Sequence, residues 1–264
     1  MYLPSFPLPG SFLQSTSVED RVGGTSANVA LGLSSTGIET GFVGYLGNDE
    51  HGRKLRKVLD ESKIEHLIIT QIDGPTSHVL ILIDNNSERT IIGMTPSHLC
   101  SLKMDNVPIR RGDIVVFVLW RAEFFDDLVR ARELGCICVL GAAALDDKRI
   151  QNADLVIGSH SDFTSSLDVA AQLKRFDRIV ITHGLEGAVE YNQNGILNQP
   201  SFPAIPLDAT GAGDSFLAGY LAGYAWGLSS EESLTMGAQW AASAVEIASS
   251  IPPSWKSVQA KWST

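Results

Sequence analysis

Residues 208–214 read Asp208-Ala209-Thr210-Gly211-Ala212-Gly213-Asp214 and run straight into Ser215-Phe216-Leu217-Ala218-Gly219-Tyr220-Leu221-Ala222. The second run reads as the opening turns of a helix. A backbone with so little side-chain bulk can turn tightly and aim successive N–H groups at one point at the helix start, which makes an anion cradle. Asp214 at the rim could take a proton from an alcohol while the amides hold a phosphoryl group in transfer. That is the chemistry of a kinase. A plainer account, a glycine turn with Asp214 as helix cap, uses the same residues, and spacing alone leaves both open.

Two other glycine sites carry possible ligand contacts. In Val22-Gly23-Gly24-Thr25-Ser26-Ala27-Asn28-Val29-Ala30 the glycine pair lets a ligand approach the backbone, and Asn28 offers both a donor and an acceptor to a hydroxylated substrate. The alternative is a turn followed by a helix packed through Ala27 and Ala30. In Thr182-His183-Gly184-Leu185-Glu186-Gly187-Ala188 an apolar strand opens into a loop where a nucleotide could lie close to the main chain. His183 and His78 have no metal-ligand spacing and read as a loop residue and a lid residue.

The elements that must hold these sites follow from periodicity. Residues 24–35 read as a small-residue helix, 40–45 as a strand and 48–62 as a charged amphipathic helix. β-type runs at 67–70, 77–83 and 90–92, separated by Asp73-Gly74-Pro75 and Asp84-Asn85-Asn86-Ser87, predict a local antiparallel sheet, placed here as a lid. From Asp113 onward, strands at 114–119, 137–140, 155–157 and 179–181 alternate with helical intervals at 124–134 and 166–176. That rhythm predicts an α/β fold with a doubly wound, mostly parallel sheet and helices on both faces. Ligands then belong at the carboxyl ends of the strands, where Thr182 and the 208–214 loop emerge.

The 264 residues are read as a single domain, with a lid formed by about 10–22 and 66–93 and a nucleotide-binding part over about 155–264. With 30 acidic against 20 basic side chains, the formal charge of −10 opposes a general nucleic-acid surface. No apolar run reaches membrane-spanning length. Cys100, Cys136 and Cys138 form no Cys-x-x-Cys pair, and Cys136 and Cys138 alternate along one apolar run as buried strand thiols would. A reducing, cytoplasmic location is expected. Pro4, Pro7, Pro9 and Gly10 punctuate the opening segment too often for an interior strand.

Gly23-Gly24-x-x-x-Asn28-x-Ala30, Thr182-x-Gly184-x-x-Gly187-Ala188 and Asp208-x-Thr210-Gly211-Ala212-Gly213-Asp214-x-Phe216-x-Ala218-Gly219, in that order, resemble the ribokinase-like, or PfkB, carbohydrate kinases. The resemblance runs from about Gly10 to the end. It implies a central doubly wound sheet with a small β lid over the sugar, and transfer of the γ-phosphate of ATP to a substrate hydroxyl. By it, Asp214 is the catalytic base, and Gly211, Ala212 and Gly213 form the anion hole with the Asp214 amide. Gly23, Gly24 and Asn28 contact the sugar, while Thr182, Gly184, Gly187 and Thr210 lie on the nucleotide side. Asp162 is implied as a Mg²⁺ ligand, directly or through water, and Asp208 with Thr210 as neighbours of a monovalent cation such as K⁺.

The chain departs from that pattern in several places. Ser159-His160-Ser161-Asp162 stands where the family often carries Asn-x-x-Glu, and Trp120-Arg121 where ribose kinases carry a glutamate. The family's opening strand and its substrate-binding Asp are missing upstream of Gly23-Gly24. A glycine usual near the last helical region is replaced around Ile251-Pro252-Pro253-Ser254-Trp255. Besides an ATP-dependent sugar kinase, two readings therefore stand: a nucleoside kinase of the same family, and a truncated or catalytically impaired kinase-fold binding protein. In the lid, Val79, Ile81 and Ile83 alternate with Leu80 and Leu82, leaving a second apolar face. A homodimer through the lid covers it, and so does a monomer whose lid closes on the core.

Overall fold

The computed structural model describes residues 1–85, 89–94, 107–163 and 167–262. Cys100, the Asn86-Ser87 part of the expected turn and Ser166, the expected helix start, lie outside them. In chain order the elements are α1 (Thr25–Ser34), β1 (Gly41–Gly47), α2 (Glu50–Asp60), β2 (His66–Ile72), β3 (Val79–Ile83), β4 (Arg89–Gly93) and β5 (Ile114–Phe117). Next come α3 (Phe125–Glu133), β6 (Ile137–Gly141), β7 (Ala153–Ser159), α4 (Val169–Gln172), β8 (Phe176–Thr182), β9 (Ala188–Asn192) and β10 (Gly195–Gln199). Three helices finish the chain: α5 (Ala212–Ala225), α6 (Ser230–Ala244) and α7 (Trp255–Trp262).

The main sheet has six strands in the order β10-β9-β8-β7-β6-β5. β5 to β8 run parallel, while β9 and β10 return antiparallel. Its central strands are apolar on both faces, as a covered parallel sheet requires. Cys138, Leu140, Val156, Ile179 and Ile181 pack on one face with Leu128 and Ala131 of α3. Val139, Leu155, Ile157 and Val180 pack on the other with Val29 of α1, Phe216, Leu217 and Tyr220 of α5, and Leu234 and Ala238 of α6. The expected layers are present, with helices on both sides of a mostly parallel sheet. Burial pushes the Cys138 thiol up to about 12, so it is an inert core group.

One pairing differs from expectation. The 67–70 run belongs to β2, which pairs parallel with β1 from Gly41↔His66 to Gly47↔Ile72 rather than joining an antiparallel lid. The reason is the connection, since α2 lies between the two strands and supplies the crossover that parallel neighbours need. The antiparallel hairpin is β3-β4 alone, in register Ile81↔Ile91. It is extended on its edge by the chain start, where the Leu3 amide donates to the Ile83 carbonyl at 2.8 Å and Ile83 N–H donates to Met1 O at 3.0 Å. Tyr2 bridges onward to Ser17. Residues 11–13 form no strand. The expected helix over 166–176 shrinks to the single turn of α4, capped by Asp168.

Among the described residues, the β1 edge away from β2 and the β5 edge away from β6 have no strand partner. Residues of both strands line one cavity of ≈ 1250 Å³. No helix among the described residues is long and apolar enough to cross a membrane.

Candidate active site

Two helix starts converge at this cavity. α1 follows Gly24, and α5 follows Gly211, whose backbone adopts the left-handed φ of 81° that glycine tolerates best. Any side chain at Gly211 would also strike Ser250, because an added methyl carbon lies 2.4 Å from that carbonyl oxygen. The helices are pressed together further along. A methyl carbon built on Gly32 would stand 2.9 Å from Ala218 Cβ, so α1 and α5 meet nearly backbone to backbone.

This packing brings Asn28 and Asp214 together across 186 residues of sequence, with Asn28 Nδ2 donating to Asp214 Oδ2 at 2.7 Å. Asn28 is buried, and its Oδ1 is without a hydrogen-bond partner among the described residues. The bond fixes the direction of one carboxylate oxygen and holds the amide beside it. Space beside Gly213 is open, as nothing lies within 4 Å of where a Cβ would stand. Backbone N–H groups there could meet an anion without side-chain hindrance.

Gly23, Gly24, Asn28, Thr210, Gly211, Gly213 and Asp214 all line the cavity, so the first and third sequence sites form one place. Ala212 opens α5 next to them. The second site lies apart from that lining. Thr182 ends β8 opposite Ser159 of β7, and Gly184 and Gly187 turn the loop into β9. Gly187 has φ 101°, and a methyl carbon there would sit 2.0 Å from the Gln199 carbonyl oxygen, so the turn is built for glycine. Asp162 follows β7, and its carboxylate accepts the Ser159 amide at 2.8 Å in a local capping box. Thr182, Gly184, Gly187 and Asp162 therefore gather at the carboxyl ends of β7 and β8, as an open α/β sheet predicts for a ligand edge.

The structure adds contacts that the sequence reading did not assign. His160 and His183 face each other at that edge, ring centroids 4.9 Å apart. The backbone around Ser250 walls the cradle behind Gly211, and Pro252 lies against Gly32. Arg21 is the third. Its guanidinium donates to Asp208 Oδ2, to Glu19 and to Tyr2 Oη. Asp208 Oδ1 accepts the Thr210 amide at 2.8 Å. Burial pushes the Asp208 carboxyl up, but the Thr210 amide, Arg21 and the Thr210 hydroxyl outweigh it and hold the group below the ordinary carboxylate range.

Two expected ions meet different surroundings. Mg²⁺ keeps several waters and needs only one or two protein carboxylates beside substrate phosphates, so Asp162 fits without a preformed cluster. No group of three His, Cys, Asp or Glu suited to a metal occurs among the described residues. Beside Asp208, where a monovalent cation is expected, Arg21 places a fixed positive charge on the same carboxylate.

The pfkB family carbohydrate kinase model matches residues 4–108 and 140–257. The chain belongs to that family. A fructokinase of Klebsiella pneumoniae is 28% identical over 237 residues, covering 77% of this chain and 76% of that protein. A fructoselysine 6-kinase of Escherichia coli strain K12 is 24% identical over 234 residues, covering 85% and 89%. Among solved structures, a ribokinase from Thermotoga maritima superposes with a TM-score of 0.81 at 21% identity, covering 100% of this chain and 95% of its own. A nucleoside kinase from Methanocaldococcus jannaschii gives 0.77 at 23% identity, covering 98% and 92%. These superpositions establish the ribokinase-like fold. With the family match, the coarse activity is that of an ATP-dependent kinase acting on a hydroxyl of a small sugar or nucleoside.

Proposed function

We propose that this pfkB-family kinase phosphorylates a small sugar, with Asp214 as the base and the backbone amides of residues 211–214 as the anion cradle. The observation that carries this reading is the Asn28–Asp214 bond of 2.7 Å at the wall of the cavity, directly at the start of α5. Asp214 accepts the proton of the attacking hydroxyl, and the Asn28 amide keeps its carboxylate aimed while that proton moves. The open backbone at Gly213 holds the charge that develops on the transferred group. Gly23 and Gly24 let the sugar lie close to the main chain, and Asn28 meets its hydroxyls. Thr182, Gly184, Gly187 and Thr210 face the nucleotide. Asp162 would hold Mg²⁺, directly or through water, and the ion would supply charge neutralisation to the ATP phosphates. The β3-β4 hairpin lends Val79, Ile81 and Ile83 to the cavity wall, which suits a cover that excludes water.

A sugar rather than a nucleoside is favoured by the fructokinase and fructoselysine 6-kinase relatives. Turnover of ATP with fructose, ribose, 2-keto-3-deoxygluconate and adenosine, measured side by side, tests it. Fructose or a fructose derivative should lead, and adenosine turning over faster than every sugar would reassign the acceptor. The hairpin also carries the dimer reading, because Val79 and Ile91 are more than half exposed. Ile81→Lys should then dissociate the parent dimer in sedimentation, and a parent that stays monomeric at high micromolar concentration removes this reading.

A further inference from the structure

The Asp208 side chain is buried, 4% exposed, at the foot of the cradle and two residues before Thr210. A carboxylate removed from water needs a positive partner and filled hydrogen-bond positions. Here both oxygens are served from within the chain, Oδ1 by the Thr210 amide and Oδ2 by Arg21 Nη1. We propose that Arg21 is a built-in counter-cation for Asp208, which makes the 208–214 cradle independent of potassium or any other monovalent metal ion. The inference rests on the kinase reading only for the role of the cradle, and the ion pair stands without it.

Three features support the assignment. An alkali cation needs a shell of oxygen acceptors, whereas a guanidinium presents only donors and repels a second cation beside the same carboxylate. Arg21 is also anchored on its far side, with Nη2 donating to Tyr2 Oη at 3.3 Å and the fork reaching Glu19. Tyr2 in turn donates its amide to Ser17 O and bridges Ile83 of β3. The guanidinium thus sits in a frame that fixes its position, and links the cradle to the hairpin edge. The cradle loop is pinned from the other direction as well, because the Leu207 and Asp208 amides both donate to the Val245 carbonyl, at 2.7 and 3.1 Å. Nothing in this arrangement depends on a solution ion.

The test reads the fold as well as turnover. Melting temperature of the full chain is measured at constant ionic strength in potassium, sodium and tetramethylammonium chloride, with and without a non-hydrolysable ATP analogue. The expected result is the same melting temperature and the same analogue affinity in all three salts, within about twofold for affinity. Arg21→Met, which keeps the stem and removes the charge, should melt lower in tetramethylammonium and recover part of the loss in potassium. Arg21→Lys should retain the parent's indifference to potassium. A saturable rise of the parent's melting temperature or analogue affinity with potassium over tetramethylammonium overturns the proposal. A folded Arg21→Met protein that gains no response to potassium overturns it too. If Arg21→Met does not fold, the parent and Arg21→Lys measurements still decide. Failure of the kinase reading is separate: a parent inert toward every acceptor but indifferent to potassium loses the activity and keeps the ion pair.

Discussion

The half of the molecule built on β5 to β10 and the half built on α1, β1, β2 and the β3-β4 hairpin solve burial differently. The first encloses its strands between two apolar layers and even buries a carboxyl group. Glu190 is fully buried, and accepts the Tyr220 hydroxyl and the Ser230 hydroxyl at 2.8 Å each and the Asn192 amide at 2.9 Å. The second half spreads its apolar groups around a cavity and leaves Val79, Ile91, Ile92 and Met94 exposed. Asp214 comes from the dense half and Asn28 helix α1 from the open one, so the active site is a seam. In the proposed reading, the densely packed part carries the base and cradle, while the part around the cavity carries the substrate contacts.

That contrast can be broken at four points. Asp214→Ala should leave the melting temperature near the parent's and reduce phosphate transfer by on the order of 10²–10⁴. Turnover at the parent rate, measured on pure protein, would remove Asp214 from the base role. Gly32→Val strikes the seam itself, since even one added carbon presses on Ala218. It should cost about 1–3 kcal/mol by overpacking and lower turnover by moving Asn28 away from Asp214. Denaturant melts with kinetics on the same samples check both. Glu190→Ala removes the acceptor of the buried Tyr220 hydroxyl and the half-buried Ser230 hydroxyl, at about 1–3 kcal/mol, and should spare KM for the sugar. A large KM change there would mean that the two halves are not separable.

The smallest effect concerns the open half. Hydrogen bonds from the Thr76 hydroxyl, the Gly52 amide and the Thr76 amide hold the Asp49 carboxyl at about 2. Its folded value lies below the ordinary 3.8, so its contribution is complete above that pH and is lost as pH falls from 3.8 toward 2. Asp49→Ala should flatten the acid limb of a pH–melting curve over that window and leave neutral-pH turnover nearly unchanged. An unaltered acid limb would dismiss Asp49 as the link between α2 and the segment before the hairpin.

Local chemistry carried most of what the sequence made legible. The 208–214 loop, the small-residue helix after Gly24 and the apolar strands of the parallel sheet were readable because their signals are contiguous. α6 also starts on a contiguous signal that went unread, a Ser229-x-x-Glu232 capping box, with the Ser229 hydroxyl accepting the Glu232 amide at 3.2 Å. The return strands β9 and β10 went unread, although the Asn192-Gln193-Asn194-Gly195 turn between them is a hairpin signal. What stayed hidden was pairing at long separation. Nothing near Arg21 announces Asp208, 187 residues away. The partner of residues 67–70 did have a signal, the helix over 48–62 that separates them from the 40–45 strand, but the β-type runs that follow them pointed to a hairpin instead. α5 is buried nearly all round, so it lacks the amphipathic stripe that would have told which side faces α1.

Among the described residues, the edges of β1 and β5 that border the cavity have no partner strand, so their peptide groups offer donors and acceptors to whatever occupies it. Apolar side chains such as Phe42, Ile81, Val116 and Phe117 wall the same cavity. A guest that turns hydroxyls toward the strand edges and hydrocarbon toward these side chains suits both kinds of wall, whereas a purely apolar guest would strand the edges.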